Sequence, residues 1–317
     1  MNSTTPHRPG RSAAFRLTVL ACVLLPLCFA GWLGWQAVAG GGSEHPPALP
    51  AALPPAVTPT LGPLDPDTPS ATPSTPGASA TAPDQHQQPL SGRTILLDPG
   101  HNTANGRHSA EINRQVDIGN GHKECDTTGT ETDAGYTEAE YTLDVVHRAR
   151  AILQGLGAKV VLTQDGDRPW GPCVDERARI GNEAHADAAV SVHGDGAPAS
   201  GSGFHVIMPA RVTAGKADTS AIVAPSRRLG LLLRQDFKAA TGEPYADYIA
   251  EQGLDTRSDL GGLNLSTVPK VFIECGNMRN SGDAKRMTDP QWRQRAAQGI
   301  ADALTAYLTT TGTPVAG

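Results

Sequence analysis

The sequence predicts one α/β domain over residues 92–310 of 317, a mostly parallel twisted sheet with helices on both faces. Three observations carry that prediction. Short apolar runs alternate with segments of helical periodicity, the pattern of parallel strands joined by helical crossovers. The stretch is long enough to bury a sizeable core. The chain is about 48% apolar once its 35 glycines are counted in and its five tyrosines out, an ordinary globular value.

The elements follow in order. Thr94-Ile95-Leu96-Leu97 reads as a buried strand that runs into Asp98-Pro99-Gly100-His101. A polar, Gly-rich excursion from Asn102 to Ala134 is too long for a plain connector, so it is expected to be functional or disordered. Thr137 to Gly155 has Tyr141, Val145, Ala149, Ile152 and Leu153 at helical spacing, with Thr137 as its cap. Ala158–Thr163 is the second strand, Val174–His185 a helix, and Ala188–His193 a strand that again ends in histidine. Gly203–Met208 is a strand, Ser226–Ala240 a helix, and Lys270–Glu274 a strand ending in a carboxylate. A last helix, Gln291–Leu308, spaces Trp292, Ala296, Ile300, Leu304 and Leu308 along one side.

The first ninety-one residues have a different composition. Arg8, Arg11 and Arg16 precede an apolar run over 17–39 whose only strongly polar member is Gln36, and 23 residues suffice to cross a bilayer. Positive charge before the run and none after it places residues 1–16 in the cytoplasm and everything downstream outside. The run reads as a retained signal anchor, given its length and Trp32 and Trp35 at interfacial positions; a signal peptide cleaved after Ala37-Val38-Ala39 is the alternative. Residues 40–91 are a linker rich in Pro, Ala, Thr and Ser, and 13 of the 26 prolines lie between Gly41 and Leu90. Such a segment buries too little to fold, and could reach on the order of 150 Å if fully extended. Residues 311–317 are read as a flexible C-terminus.

The net charge is −6, of which −5 falls after Ser91, so there is no basic surplus to neutralise phosphates and nucleic-acid binding is disfavoured. Export permits disulfides. Cys22 and Cys28 lie in the apolar run, so Cys125 and Cys173 are expected to pair, with Cys275 a buried free thiol on the strand face opposite Glu274. Gly201-Ser202-Gly203 lacks the spacing of a nucleophile elbow, which argues against a serine hydrolase. The remaining histidines divide by position. His108 and His122 lie in the long loop and could touch substrate, His147 and His185 are solvated helix residues, and His205 is a sheet residue.

His101, His193 and Glu274 close three separate strands, where open α/β sheets bind ligands. With Glu138 in the first turn of a helix, two histidines and a carboxylate make a zinc-type donor set. Taken singly, each has a plainer reading: a hydrogen-bonded loop histidine, or a glutamate favoured by the helix dipole.

The residues Asp98-Pro99-Gly100-His101, Glu138 before Tyr141-Thr142-Leu143, Arg177 with Asn182, Ala186-Asp187 and Ser191-Val192-His193 resemble the zinc-dependent N-acetylmuramoyl-L-alanine amidases. The resemblance continues through Arg257, Asp259-Leu260 and Leu263 to Ile273-Glu274-Cys275-Gly276-Asn277, covering about Thr94 to Leu308. Gly171-Pro172-Cys173-Val174-Asp175-Glu176-Arg177 is similar to the single-domain actinobacterial enzymes. The resemblance implies that His101, Glu138 and His193 bind Zn2+ and that Glu274 is catalytic. Glu138 is matched rather than Glu140 because it stands five residues before Leu143, as the family glutamate does. Asp195 and Asn102 are candidates for orienting a ligand or touching substrate. Gln164, Gly194-Asp195 and Cys275-Gly276 depart from the family's usual residues.

The resemblance implies hydrolysis of the amide between N-acetylmuramic acid and L-alanine in peptidoglycan or muropeptides. The apolar run places that activity outside the cytoplasm, held to the membrane through the N-terminal segment, and the chain is expected to be a monomer. Rival readings are a zinc peptidase cutting within the stem peptide and a non-catalytic wall-binding module.

Overall fold

The computed structural model describes residues 88–310. The expected anchor over 17–39, the expected linker as far as residue 87 and the C-terminal 311–317 lie outside the described residues; residues 88–91, expected as linker, instead belong to the domain, because Leu90 is buried in the core and its amide donates to the Leu156 carbonyl. Among the described residues no helix is long and apolar enough to cross a membrane.

The strands are β1 (Thr94–Pro99), β2 (Gln115–Asp117), β3 (His122–Glu124), β4 (Lys159–Leu162), β5 (Ala188–Asp195), β6 (His205–Pro209), β7 (Thr213–Ala214), β8 (Ala217–Asp218), β9 (Leu254–Arg257) and β10 (Lys270–Asn277). The helices are α1 (Ser109–Ile112), α2 (Glu138–Gly155), α3 (Val174–Glu183), α4 (Val223–Thr241), α5 (Gly261–Asn264), α6 (Ser281–Met287) and α7 (Pro290–Thr309). Six strands form one sheet in the order β4-β1-β5-β10-β6-β9. The first four are parallel; β6 runs antiparallel to β10, and β9 is parallel to β6.

Strand periodicity explains the layers. Ile95, Leu97, Val190, Val192, Val271, Ile273, Val206 and Met208 face one side, where they pack with Tyr141 and Val145 of α2, Leu229, Leu233 and Phe237 of α4, and Trp292, Ile300 and Leu304 of α7. Leu96 and Ala189 face the other side with Val268 and Ile180 of α3. Helices therefore cover both faces. On this second face the alternate positions include Asp98, Ser191, His193, Phe272, Glu274, His205 and Ile207, so the polar chemistry sits on one side of the sheet. Cys275 alternates with Glu274 and is a buried free thiol in the large core.

The sequence reading omitted β9, in which only Leu254 is apolar. It is an edge strand whose pairing rests on backbone bonds to β6. The Asn102–Ala134 segment is ordered: a 3-10 turn at Asn105–Arg107, then α1, then the β2–β3 hairpin. Cys125 at the hairpin's exit is bonded to Cys173 at the start of α3. Helix α4 begins three residues earlier than the sequence suggested, because Pro225 is tolerated in its first turn.

Candidate active site

The β1 exit turn fixes the first histidine. His101 sits at φ +61, in the left-handed region, and a Cβ on the preceding Gly100 would collide with the His193 ring. Gly129 clears space in the same way beside Glu138 and His101. Glu138 is the first residue of α2, whose capping box joins Thr137 and Glu140: the Glu140 amide donates to Thr137 Oγ1, and Glu140 Oε2 accepts from the Thr137 amide. Glu140 is thus spent on the cap and exposed, while Glu138 is buried and turned into the site.

Both histidines converge on one oxygen. Glu138 Oε1 lies 3.2 Å from His101 Nε2 and 2.9 Å from His193 Nδ1, and it also accepts from the Gly194 amide. Its Oε2 accepts from the Thr130 amide at 3.0 Å. The ligand atoms of His101, Glu138 and His193 all lie within 4.8 Å of one another, a donor set that fits zinc. The electrostatics fit as well. Burial pulls the His101 pKa down, but the charge of Glu138 and the bond to Asp126 outweigh it and raise the value well above normal. Burial pushes Glu138 up, yet the two histidines hold it well below the carboxylate range. A site that retains an extra proton this firmly has the negative potential a dication needs.

Asp126 was not among the sequence candidates. Its Oδ1 lies 3.1 Å from His101 Nδ1, and its Oδ2 accepts from Asn105 Nδ2 and from Arg177 Nη2 at 3.0 Å. Arg177 also donates to Asp98 Oδ1 and to the carbonyls of Pro99 and His101. Asp98 further accepts from Thr163, Ser191 and Lys270. Two cations and two carboxylates thus balance beneath the site. Burial raises both carboxylates, but Lys270 and Arg177 hold Asp98 far below its usual range, and Arg177 with His101 brings Asp126 to about 2.

Glu274 stands beside the triad, paired in register with His193 on β5 and His205 on β6. Its Oε2 is buried without a hydrogen-bond partner. Burial, then the charges of Glu138 and Asp195, raise its pKa well above normal.

A cavity of about 440 Å³ joins these groups. The triad, Glu274, Phe272, Ile207, Lys123, Arg257 and Leu260 all line it. The long loop therefore lines the site. Asp195 also lines it, with Oδ2 accepting from Tyr248 Oη at 3.0 Å. Asn102 does not reach the cavity: its amide donates to the carbonyls of Arg168 and Gly171, and it holds the loop rather than a substrate. His108 pairs with Glu111, and neither His108 nor His122 lines the cavity. Gln164, one of the departures, donates to the His101 carbonyl and so supports the turn.

The family model of the N-acetylmuramoyl-L-alanine amidases matches residues 95–306, the whole of this architecture. The chain belongs to the N-acetylmuramoyl-L-alanine amidase family. An N-acetylmuramoyl-L-alanine amidase of Mycobacterium tuberculosis is 40% identical over 245 residues, covering 77% of this chain and 95% of that protein. Two solved amidase structures are similar throughout the domain. That of Mycobacterium smegmatis has 41% identity and a TM-score of 0.64, covering 69% of this chain and 98% of its own. That of Mycobacterium abscessus has 42% identity and the same TM-score, covering 69% of this chain and 100% of its own. These amidases agree with the single-domain, mostly parallel architecture expected from the sequence.

Proposed function

We propose that this amidase is zinc-dependent and cleaves the amide between the lactyl group of N-acetylmuramic acid and the L-alanine of the peptidoglycan stem peptide. The observation that carries the reading is the convergence of His101, Glu138 and His193 on one point, with Glu274 beside them, in a chain of this family. His101, Glu138 and His193 would hold the ion. Bound there, zinc supplies a Lewis acid that polarises the scissile carbonyl and activates water.

Glu274 is the general base. It takes a proton from the attacking water as the new C–O bond forms, and passes it to the L-alanine nitrogen as the C–N bond breaks. Its raised pKa, caused first by burial, suits both tasks, since a less acidic carboxyl group is a stronger base when ionised. Its unpartnered Oε2 is free to receive the proton. Asp126 keeps the His101 ring oriented, and Gly194 and Thr130 hold the two oxygens of Glu138. Residues 17–39 and 40–87 would serve as anchor and stalk, holding the domain between membrane and wall.

Digestion of purified cell wall with and without a chelator, followed by mass spectrometry, tests this. Free N-terminal L-alanine with intact sugar strands is expected, and only without chelator. Cuts inside the stem peptide would identify a peptidase instead, and no cleavage in zinc a non-catalytic module. Glu274→Gln should keep its zinc and lose about 10²- to 10⁴-fold in turnover; normal digestion by that variant would refute the role given to Glu274.

A further inference from the structure

The Arg257 and Asp259 motif takes no part in the hydrolysis described above, yet Arg257 lines the same cavity as the metal triad and Asp259 holds its guanidinium. Arg257 Nε and Nη2 donate to the two oxygens of Asp259 at 2.8 and 2.7 Å. This side-on grip leaves the guanidinium's other edge, Nη1 and the second Nη2 proton, without a partner among the described residues. Lys123 Nζ also donates to Asp259 Oδ2 at 2.8 Å, so two cations share that carboxylate, and Asp255 and Glu274 are the other acids whose charge reaches Arg257. Glu124 lines the cavity too, but its carboxylate accepts from Gln115 on the hairpin.

We infer that Arg257 forms a carboxylate-binding subsite for the peptide part of the substrate, in the same cavity as the metal triad. Its uncommitted edge presents two parallel N–H donors, the geometry that grips a carboxylate. Its orientation is fixed in advance by Asp259, so little freedom is lost on binding.

The spacing identifies what reaches it. Glu274 is opposite His205, and Arg257 is opposite Pro209, four residues further along β6. That separates the two backbones by about 13 Å along the strands, and the two strand spacings across β6 add about 10 Å at right angles to it. The extended arginine side chain covers part of that gap. What remains suits a group one or two residues beyond the scissile bond. Phe272, Ile207, Leu260, Gly261 and Gly262 also line the cavity. This part of the lining offers few hydrogen-bonding side chains, and it suits an aliphatic peptide better than a polyhydroxylated sugar. The peptide therefore lies against these residues with its acid on Arg257.

This inference rests on the amidase reading, and one experiment separates the two. The full-length protein is given two N-acetylmuramoyl-L-alanyl peptides that differ in one group: a carboxylate, or its carboxamide, on the residue after L-alanine. The wild type should favour the acid by about 10- to 100-fold in kcat/KM, the range for a hydrogen bond to a charged group, and the difference should lie in KM. Arg257→Gln should remove the preference, whereas a structural role would slow both substrates equally. Should Arg257→Gln fail to fold, the wild type still decides, because its preference must shrink as salt rises. Equal rates on both substrates, a preference retained in Arg257→Gln, or a preference indifferent to salt would each overturn the subsite. Cleavage of neither by the zinc-loaded protein would instead overturn the amidase reading beneath it.

Discussion

His101 offers Nε2 to the site because Asp126 occupies Nδ1, and Asp126 is held in turn by Asn105 and Arg177. A carboxylate behind a metal-ligating imidazole fixes its tautomer and raises its basicity. Asp126→Asn should therefore weaken zinc binding by about 10- to 100-fold while leaving the metal-free fold in place. Competition with a chelator, alongside the circular dichroism of the apo protein, checks it; an unchanged affinity would remove Asp126 from the site. At this scale the candidate donors were legible through the family resemblance, which matched Glu138 by its register ahead of Leu143; His101, Glu138 and His193 do come together, while Glu140 is taken up by the capping box. Asp126 was hidden because nothing local marks it. Only the folded loop brings it to a residue 25 positions earlier, and its sole sequence signal was its place beside Cys125.

Element by element, strands with a clear apolar run could be read, and those held by backbone bonds alone could not. β1, β5 and β10 carry alternate apolar residues into the large core, so their side chains had to point where they do. β9 has no such stripe, which is why Arg257 could be matched to a family motif without its place in the cavity being seen. The β1 exit turn makes a sharper prediction. Gly100→Ala adds one methyl group, which must displace the His193 ring. Activity and zinc content should both fall by at least tenfold, with a stability loss of about 1–3 kcal/mol, the usual range for overpacking. A crystal structure of Gly100→Ala with His193 unmoved would contradict it.

Across the whole molecule, Asp98 joins β1 to Thr163 after β4, to Ser191 on β5, to Lys270 on β10 and to Arg177 on α3. Asp98 and Asp126 are both depressed in the folded state, so the stability they add is present above the unfolded carboxylate value near pH 4 and is lost as pH falls. For Asp126 the loss runs down through about 2 and amounts to about 2 kcal/mol. Denaturation midpoints of the metal-free protein should fall steadily from pH 5 to pH 2, and Asp98→Asn should flatten that dependence. A midpoint that stayed level over this interval would show that the buried charges do not govern acid stability. The alternation of apolar and polar segments was enough to predict the sheet and its two covered faces. It could not show that both cations and both carboxylates meet under the site, since those residues come from four separate segments.

One feature of the sheet limits how this chain can vary in length. Glu274 faces the cavity and Cys275 the core, with a period of two and no spare position between them. A single codon gained or lost between Lys270 and Glu274 would exchange the two, leaving a thiol at the reaction centre and a carboxylate in the core. Natural variants of this domain should therefore differ in length outside β10, and keep the count within it.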